Sequence, residues 1–315
     1  MKALVSIVIP HYNSSNLIRR LLSSLVIKEK DILEIIIVDD KSSRTEKENL
    51  ERVVSEFPLN ISLYQNNTSK KGAGVCRNIG LEKVNSPWIL FADSDDHFVE
   101  NFYNHIEPYL VTDFDIVYFM PTSQDENGKV TTRHLTYAKP IEEYLEKKDP
   151  SKLKYNISVV WSKLYRTEMV RKHNIKFDST LSSNDVLFSI KCDFFAETFA
   201  VERKVIYSWD FNSKSITTLM SKKRFSDVYD VYIRENNFYR ENLSSIEYKK
   251  IRNSAAKLTG IALVRYKFGV FYSLGLFIKL IGNKLVPIRL TDIKIDRLKN
   301  FFRNNHFYKK EKKQI

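Results

Sequence analysis

Short, uninterrupted apolar runs that stop at a proline or at clustered aspartates recur through the N-terminal part of the chain. Residues 5–9 end at Pro10, residues 35–38 end at Asp39-Asp40, and residues 87–92 end at Asp93-Ser94-Asp95-Asp96. A run without alternating polar positions predicts a strand covered on both faces, as in parallel sheets. Helical signals lie between the runs. Ser14 or Ser15 can cap a helix carrying Leu17, Leu21, Leu22 and Leu25 on one face, Ser42-Ser43 can cap a charged helix, and residues 72–84 read as a third. Residues 61–64 and 115–119 add strands, with a helix around Phe102 and Ile106 before the latter. This alternation predicts βαβ units joined by right-handed crossovers, hence an α/β fold on a parallel sheet. The aspartates then fall outside the carboxyl ends of strands, where such sheets bind ligands.

Beyond Pro121 the alternation fades. Residues 122–158 are polar with a turn at Glu126-Asn127-Gly128, and order returns at Val159. Residues 159–165 lead into a helix from Thr167, and residues 184–195 read as another with Val186, Leu187, Ile190 and Phe194 on its apolar side. From Phe225 onward the pattern is mainly helical. With 315 residues and 43% hydrophobic content, the chain divides into a main domain over residues 1–220 and a basic helical region over 221–315. The main domain splits further into halves over 1–120 and 121–220. Cys76 and Cys192 offer no disulfide framework, and Met1-Lys2 runs directly into a strand, so a cytoplasmic protein without a cleaved leader is expected.

The formal charge of +13 is unevenly placed. From Lys249 onward, seventeen Lys or Arg face three acids, a surplus of fourteen, whereas the preceding residues carry a net −1. A basic region on a near-neutral body points to an anionic surface. The apolar run over residues 268–278 favours a membrane leaflet over nucleic acid, which is not expected as a partner. Its eleven residues fall short of the ~20 needed to span a bilayer. It either lies in the interface or packs on the protein.

Hard carboxylate oxygens in an Asp-x-Asp pair suit Mg²⁺ or Mn²⁺, which gain further ligands from substrate phosphates. The alternative for Asp95 or Asp96 is a helix N-cap. The order of four segments is more specific. These are Val5-Ser6-Ile7-Val8-Ile9-Pro10-His11-Tyr12-Asn13, Glu34-Ile35-Ile36-Ile37-Val38-Asp39-Asp40-Lys41-Ser42, Arg77-Asn78-Ile79-Gly80-Leu81 and Phe91-Ala92-Asp93-Ser94-Asp95-Asp96. Together they resemble family 2 glycosyltransferases of the GT-A fold, a Rossmann-like α/β/α sandwich. Trp161-Ser162-Lys163-Leu164-Tyr165, Phe177-Asp178 and Asn184-Asp185-Val186-Leu187-Phe188 resemble that family's acceptor-side segments. The likeness covers residues 4–217.

The resemblance implies an inverting transfer of one sugar from a nucleotide sugar, by analogy UDP-linked, to a glycan or lipid-linked acceptor in cell-surface polysaccharide synthesis. Pro10 and Tyr12 would line the base pocket, and Asp39 and Asp40 would meet the uracil imide or ribose. Asp93 would hold ribose or sugar, Asp95 with Asp93 the metal, and Arg77 the diphosphate. Asp185 would be the general base, with Trp161 and Lys163 beside the acceptor. Helix caps remain alternatives for Asp39, Asp40 and Asp185, and a surface ion pair for Arg77. Residues 70–77 lack the third glycine of a dinucleotide fingerprint but suit phosphates as a loop at a helix N-terminus. The family usually has an acid before the base, where this chain has Asn184. A catalytically silent sugar-nucleotide-binding relative is therefore the competing expectation. No histidine is expected to supply a third metal ligand, and the enzyme is expected to sit peripherally on the inner face of the membrane.

Overall fold

The computed structural model describes residues 3–25, 27, 30–211 and 220–289. The chain forms two compact units, Met1–Leu219 and Met220–Ile315. The lysine-rich end, including Lys309, Lys310, Lys312 and Lys313, lies outside the described residues, as does His306.

The first unit is built on one eight-stranded sheet. In chain order it contains β1 (Val5–His11), α1 (Ser15–Ser24), β2 (Leu33–Asp39), α2 (Arg44–Ser55), β3 (Ile61–Gln65), α3 (Ala73–Lys83) and β4 (Trp88–Phe91). There follow β5 (His97–Phe98), α4 (Phe102–Ile106), β6 (Ile116–Thr122), α5 (Leu135–Lys147), α6 (Pro150–Asn156), β7 (Lys163–Arg166), α7 (Thr167–Lys172), α8 (Val186–Phe195) and β8 (Phe199–Ser208). The strand order is β3-β2-β1-β4-β7-β6-β8-β5. Strands β1 to β4 pair in parallel, every β1, β2 and β4 residue is largely or wholly buried, and right-handed crossovers place α1 and α2 on one face and α3 on the other. The order reverses between β1 and β4, and open sheets of this kind place their ligand crevice outside the carboxyl ends of the strands at such a switch point.

The sheet departs from the all-parallel expectation. Strand β7 runs antiparallel to both β4 and β6, and β5 antiparallel to β8. Two helices, α5 and α6, occupy the stretch read as irregular. Pro140 inside α5 and the charged composition hide a periodicity that buries Ala138, Ile141 and Leu153. On α1, Ile18 rather than Leu17 faces the core, since Leu17 lies on the outer side with no partner layer.

The second unit comprises α9 (Lys222–Asn242), α10 (Ser245–Ile251), α11 (Ala255–Gly260), one π-helical turn over Ile261–Arg265, and α12 (Val270–Gly282). Ser221, Ser244 and Ser254 cap α9, α10 and α11 through their hydroxyls, and Glu247 completes a capping box with Ser244. Phe225, Tyr232, Ile233, Leu258, Leu276 and Leu280 belong to its own small core. Among the described residues no helix is long and apolar enough to cross a membrane.

Candidate active site

The carboxyl ends of β1 and β2 form one wall of the crevice. Pro10 is buried inside β1, whereas Tyr12 just beyond it is 53% exposed, with the Lys71 ammonium 4.8 Å above its ring. Asp39 is buried. It accepts from His11 Nδ1 at 3.0 Å and from the Ser42 amide at 3.1 Å. His11 Nε2 accepts the Ser14 amide at 3.3 Å, which fixes the proton on Nδ1. Burial pushes the Asp39 carboxyl up, but the hydrogen bonds from His11 and Ser42 outweigh it and leave the group below its ordinary value. Asp40 accepts from Asn66 Nδ2 at 2.6 Å and from the Gly72 amide at 2.7 Å. Neither aspartate caps a helix, because Ser43 caps α2 by accepting the Glu46 amide.

The loop before α3 uses its glycines for packing. Gly72 sits at φ +125°, a conformation that side chains resist, and its amide is taken by Asp40 rather than left for a phosphate. A Cβ at Gly74 would lie 2.0 Å from the Asp178 carbonyl oxygen, so only glycine lets α3 meet the acceptor-side segment. One helical turn on, Arg77 is buried and not a surface ion pair. Its Nη1 donates to Asn184 Oδ1 at 2.8 Å and its Nη2 to Asp93 Oδ1.

Asp93, Asp95 and Asp96 follow β4. Asp96 is buried and accepts the Tyr207 hydroxyl and the Asp210 amide, each at 2.8 Å. The same Tyr207 oxygen accepts the Asp93 amide at 2.9 Å. Burial, and then the neighbouring Asp95 and Asp93 charges, push the Asp96 carboxyl well above the ordinary range. The segment is no N-cap, since α4 starts only after Asn101. Arg20 and His97 Nδ1 both reach Asp210 Oδ2 at 2.7 Å and brace the far side of the cluster.

Asp185 occupies the N-cap position of α8 without capping it through its side chain. Burial raises its carboxyl above the ordinary value, Arg77 offsets part of that, and Asp93 adds to it. Trp161 is buried, stacked on Tyr207 at 5.6 Å and on Trp209 at 5.8 Å between centroids. Lys163 corrects the acceptor-contact expectation. Its ammonium is enclosed, donating to Ile157 O at 2.8 Å, Ser189 Oγ at 2.7 Å and Asp193 Oδ2 at 3.1 Å. With its three hydrogens so placed, it has none for a sugar hydroxyl. Burial lifts the Asp193 carboxyl to about 6 and lowers the Lys163 ammonium, although each is the other's partner.

The family model "Glycosyl transferase family 2" matches residues 6–173. The chain belongs to that family. The Bacillus subtilis protein EpsH, named as a glycosyltransferase, is 27% identical over 253 residues, covering 78% of this chain and 72% of its own. The poly(ribitol-phosphate) beta-N-acetylglucosaminyltransferase TarS of Staphylococcus aureus is 25% identical over 237 residues, 74% of this chain and 38% of TarS. The crystal structure of TarS 1–349 in complex with UDP-GlcNAc superposes with a TM-score of 0.67 at 21% identity, over 90% of this chain and 80% of that one. The mannosyltransferase PcManGT from Pyrobaculum calidifontis, in complex with GDP-Man and Mn²⁺, gives a TM-score of 0.55 at 13% identity, with the same coverage of both chains. The chain is thus a nucleotide-sugar-dependent glycosyltransferase of GT-A fold with a helical C-terminal region.

In this family 2 transferase the region that sequence reasoning missed is β8 and its flank. Tyr207 and Asp210 anchor the aspartate cluster, yet Glu202, Arg203 and Lys204 interrupt the apolar pattern that would have revealed the strand. The alternation of Val205, Tyr207 and Trp209 with neighbours was the available signal. Asn66 and Asn184, partners of Asp40 and Arg77, carry no local signature. The donor set fits a hard divalent cation. Burial, and then the neighbouring Asp95 and Asp93 charges, raise Asp96, and a divalent cation would relieve the part due to charge. Among the described residues no group of three or more His, Cys, Asp or Glu side chains forms a ready metal cage. Mg²⁺ and Mn²⁺ sites completed by substrate phosphates need none.

Proposed function

We propose that the enzyme transfers one sugar, with inversion, from a UDP-sugar to a hydroxyl of a glycan or lipid-linked acceptor during cell-surface polysaccharide synthesis, at the inner face of the membrane. The observation that carries this reading is Arg77. One buried guanidinium touches donor-side Asp93 and acceptor-side Asn184, next to Asp185, and so ties the two halves of a displacement together. The polysaccharide setting rests on the poly(ribitol-phosphate) polymer in the name of TarS, and the donor on the UDP-GlcNAc in the TarS complex. The membrane setting rests on the basic surplus after Lys249.

In this reading Tyr12, Asp39 and Asp40 form the nucleoside wall, with Pro10 shaping it from beneath. Asp95 and Asp93 hold Mn²⁺ or Mg²⁺, which when bound would neutralise the departing diphosphate as a Lewis acid. Arg77 stabilises the same developing charge, more in the transition state than in the ground state. Asp185 accepts the proton of the attacking hydroxyl. Its raised proton affinity suits a base, because a carboxylate of ordinary acidity removes a hydroxyl proton with little driving force. Trp161 supports the site by backing Tyr207.

Calorimetry of UDP with and without Mn²⁺ tests the assignment. Asp95→Ala should lose the metal-dependent part of nucleotide binding while wild type shows it. Unchanged coupling in the variant would remove Asp95 as a ligand. Donor hydrolysis or transfer to any acceptor by wild type separates an enzyme from a silent binder.

A further inference from the structure

Helix α12 has two apolar sides, and only one of them is used. Ser273, Leu276 and Leu280 are buried in the helical unit. Val270, Leu274 and Ile278, spaced at i, i+4 and i+8, line the other side together with Phe271, and they are 66, 55, 63 and 92% exposed respectively. Four large apolar side chains in one exposed stripe on a helix call for an occupant.

The charges around the stripe identify it. Arg265 and Lys267 precede the helix, Lys279 lies on it and Lys284 follows it, all exposed. No Asp or Glu occurs between Glu247 and Asp292. A stripe bordered by exposed cations, in a stretch of sequence that carries no acid, matches an apolar phase bounded by negative charge. A second copy of the chain would bring the same cations face to face around the shared patch. At 13 residues α12 is about 20 Å long, too short to cross a bilayer but suited to lying in its plane.

We propose that the outer face of α12 enters the interface of an anionic membrane, with Val270, Phe271, Leu274 and Ile278 among the acyl chains and Arg265, Lys267, Lys279 and Lys284 at the headgroups. The attachment is therefore apolar at its centre and cationic at its rim. It does not depend on the lysine-rich end of the chain. Its biological meaning rests on the proposed membrane-side transfer, but the binding is measured without donor or acceptor, so the two readings fail separately.

The test uses the full chain and vesicles of phosphatidylcholine alone or mixed equally with phosphatidylglycerol. Wild type should co-sediment with the anionic vesicles, and Phe271→Ser with Leu274→Ser should lower the partition constant roughly tenfold or more. Both side chains are solvent-exposed, so the variant should melt like wild type. Phe271→Trp gives a second readout that keeps the apolar face, and its emission should shift to the blue on anionic vesicles. Absence of wild-type binding to anionic vesicles would overturn the proposal. So would equal binding by wild type and the double Ser variant, which would assign attachment to the lysine-rich end. A concentration-dependent dimer that the double Ser variant abolishes, with no emission shift on lipid, would assign the face to a second copy and overturn it equally.

Discussion

Two aspartate groups flank β1 in this molecule, one after β2 and one after β4, and they solve the same problem in opposite ways. Asp39 and Asp40 are answered by the protein itself, through His11, the Ser42 amide, Asn66 and the Gly72 amide. Asp93, Asp95 and Asp96 lie within four residues of one another, and their charges act on each other. Arg77 pairs with Asp93, Tyr207 and the Asp210 amide hold Asp96, and burial together with the Asp95 and Asp93 charges still drives Asp96 toward protonation. A satisfied pair is a rigid wall with fixed acceptors. Three carboxylates this close at a strand end suit the divalent cation proposed above. The lesson is that adjacent aspartates at strand ends are told apart by their partners.

The buried pair behind the site marks the limit of the comparison, and breaking it should have the largest effect. Lys163→Met leaves Asp193 buried without its ammonium and should cost about 3–5 kcal/mol in urea unfolding. A variant that melts like wild type but fails only in transfer would return Lys163 to the acceptor. Next, Asp185→Asn should leave donor binding and melting nearly intact while turnover falls about 10²-fold or more. Near-normal turnover would move the base elsewhere, with Asp178 the next carboxylate to examine.

Asp39→Asn and Asp95→Asn then sharpen the contrast directly. The first strands buried donors and should cost about 1–3 kcal/mol of stability without altering the Mn²⁺ dependence of UDP binding proposed above. The second should spare stability, since it removes a repelling charge, and abolish the metal-dependent part of UDP binding. Equal melting losses in both would erase the distinction drawn here.

The smallest effect is in the pH dependence of stability without metal. Asp96 has a raised folded-state proton affinity, so the folded chain holds a proton that the unfolded chain has released. Its contribution grows as pH falls from the raised value toward 3.8 and is lost as pH rises through that raised value. Asp39, depressed, contributes above 3.8 and loses that contribution as pH falls through its lowered value. Each slope is at most about 1.4 kcal/mol per pH unit. Thermal melts of Asp96→Ala and Asp39→Ala across this range should deviate from wild type in opposite directions, and parallel curves would contradict the assignment.

Much of the parallel part of the sheet was legible in the sequence because its signals are local. Unbroken runs at residues 35–38 and 88–91 announce covered strands, and the aspartates that stop them announce the crevice. The antiparallel insertion of β7 between β4 and β6 was not legible, because pairing direction leaves no mark within a strand. Neither was the support of the cluster. Tyr207 meets Asp96 across 111 residues, and Arg77 meets Asn184 across 107, so no window of sequence contains both partners.

Those separations also set an order of assembly. Strands β1 to β4 contain most of the parallel pairing, and all of its partners lie before residue 92. Asp96 must wait for Tyr207 and Asp210, and closing so long a loop is entropically slow. A chain stalled before β8 would hold a folded nucleotide wall beside a carboxylate with no hydroxyl to receive it. The aspartate cluster therefore takes its final hydrogen bonds only once β8 is in place, so an intact Asp96 environment reports a closed sheet.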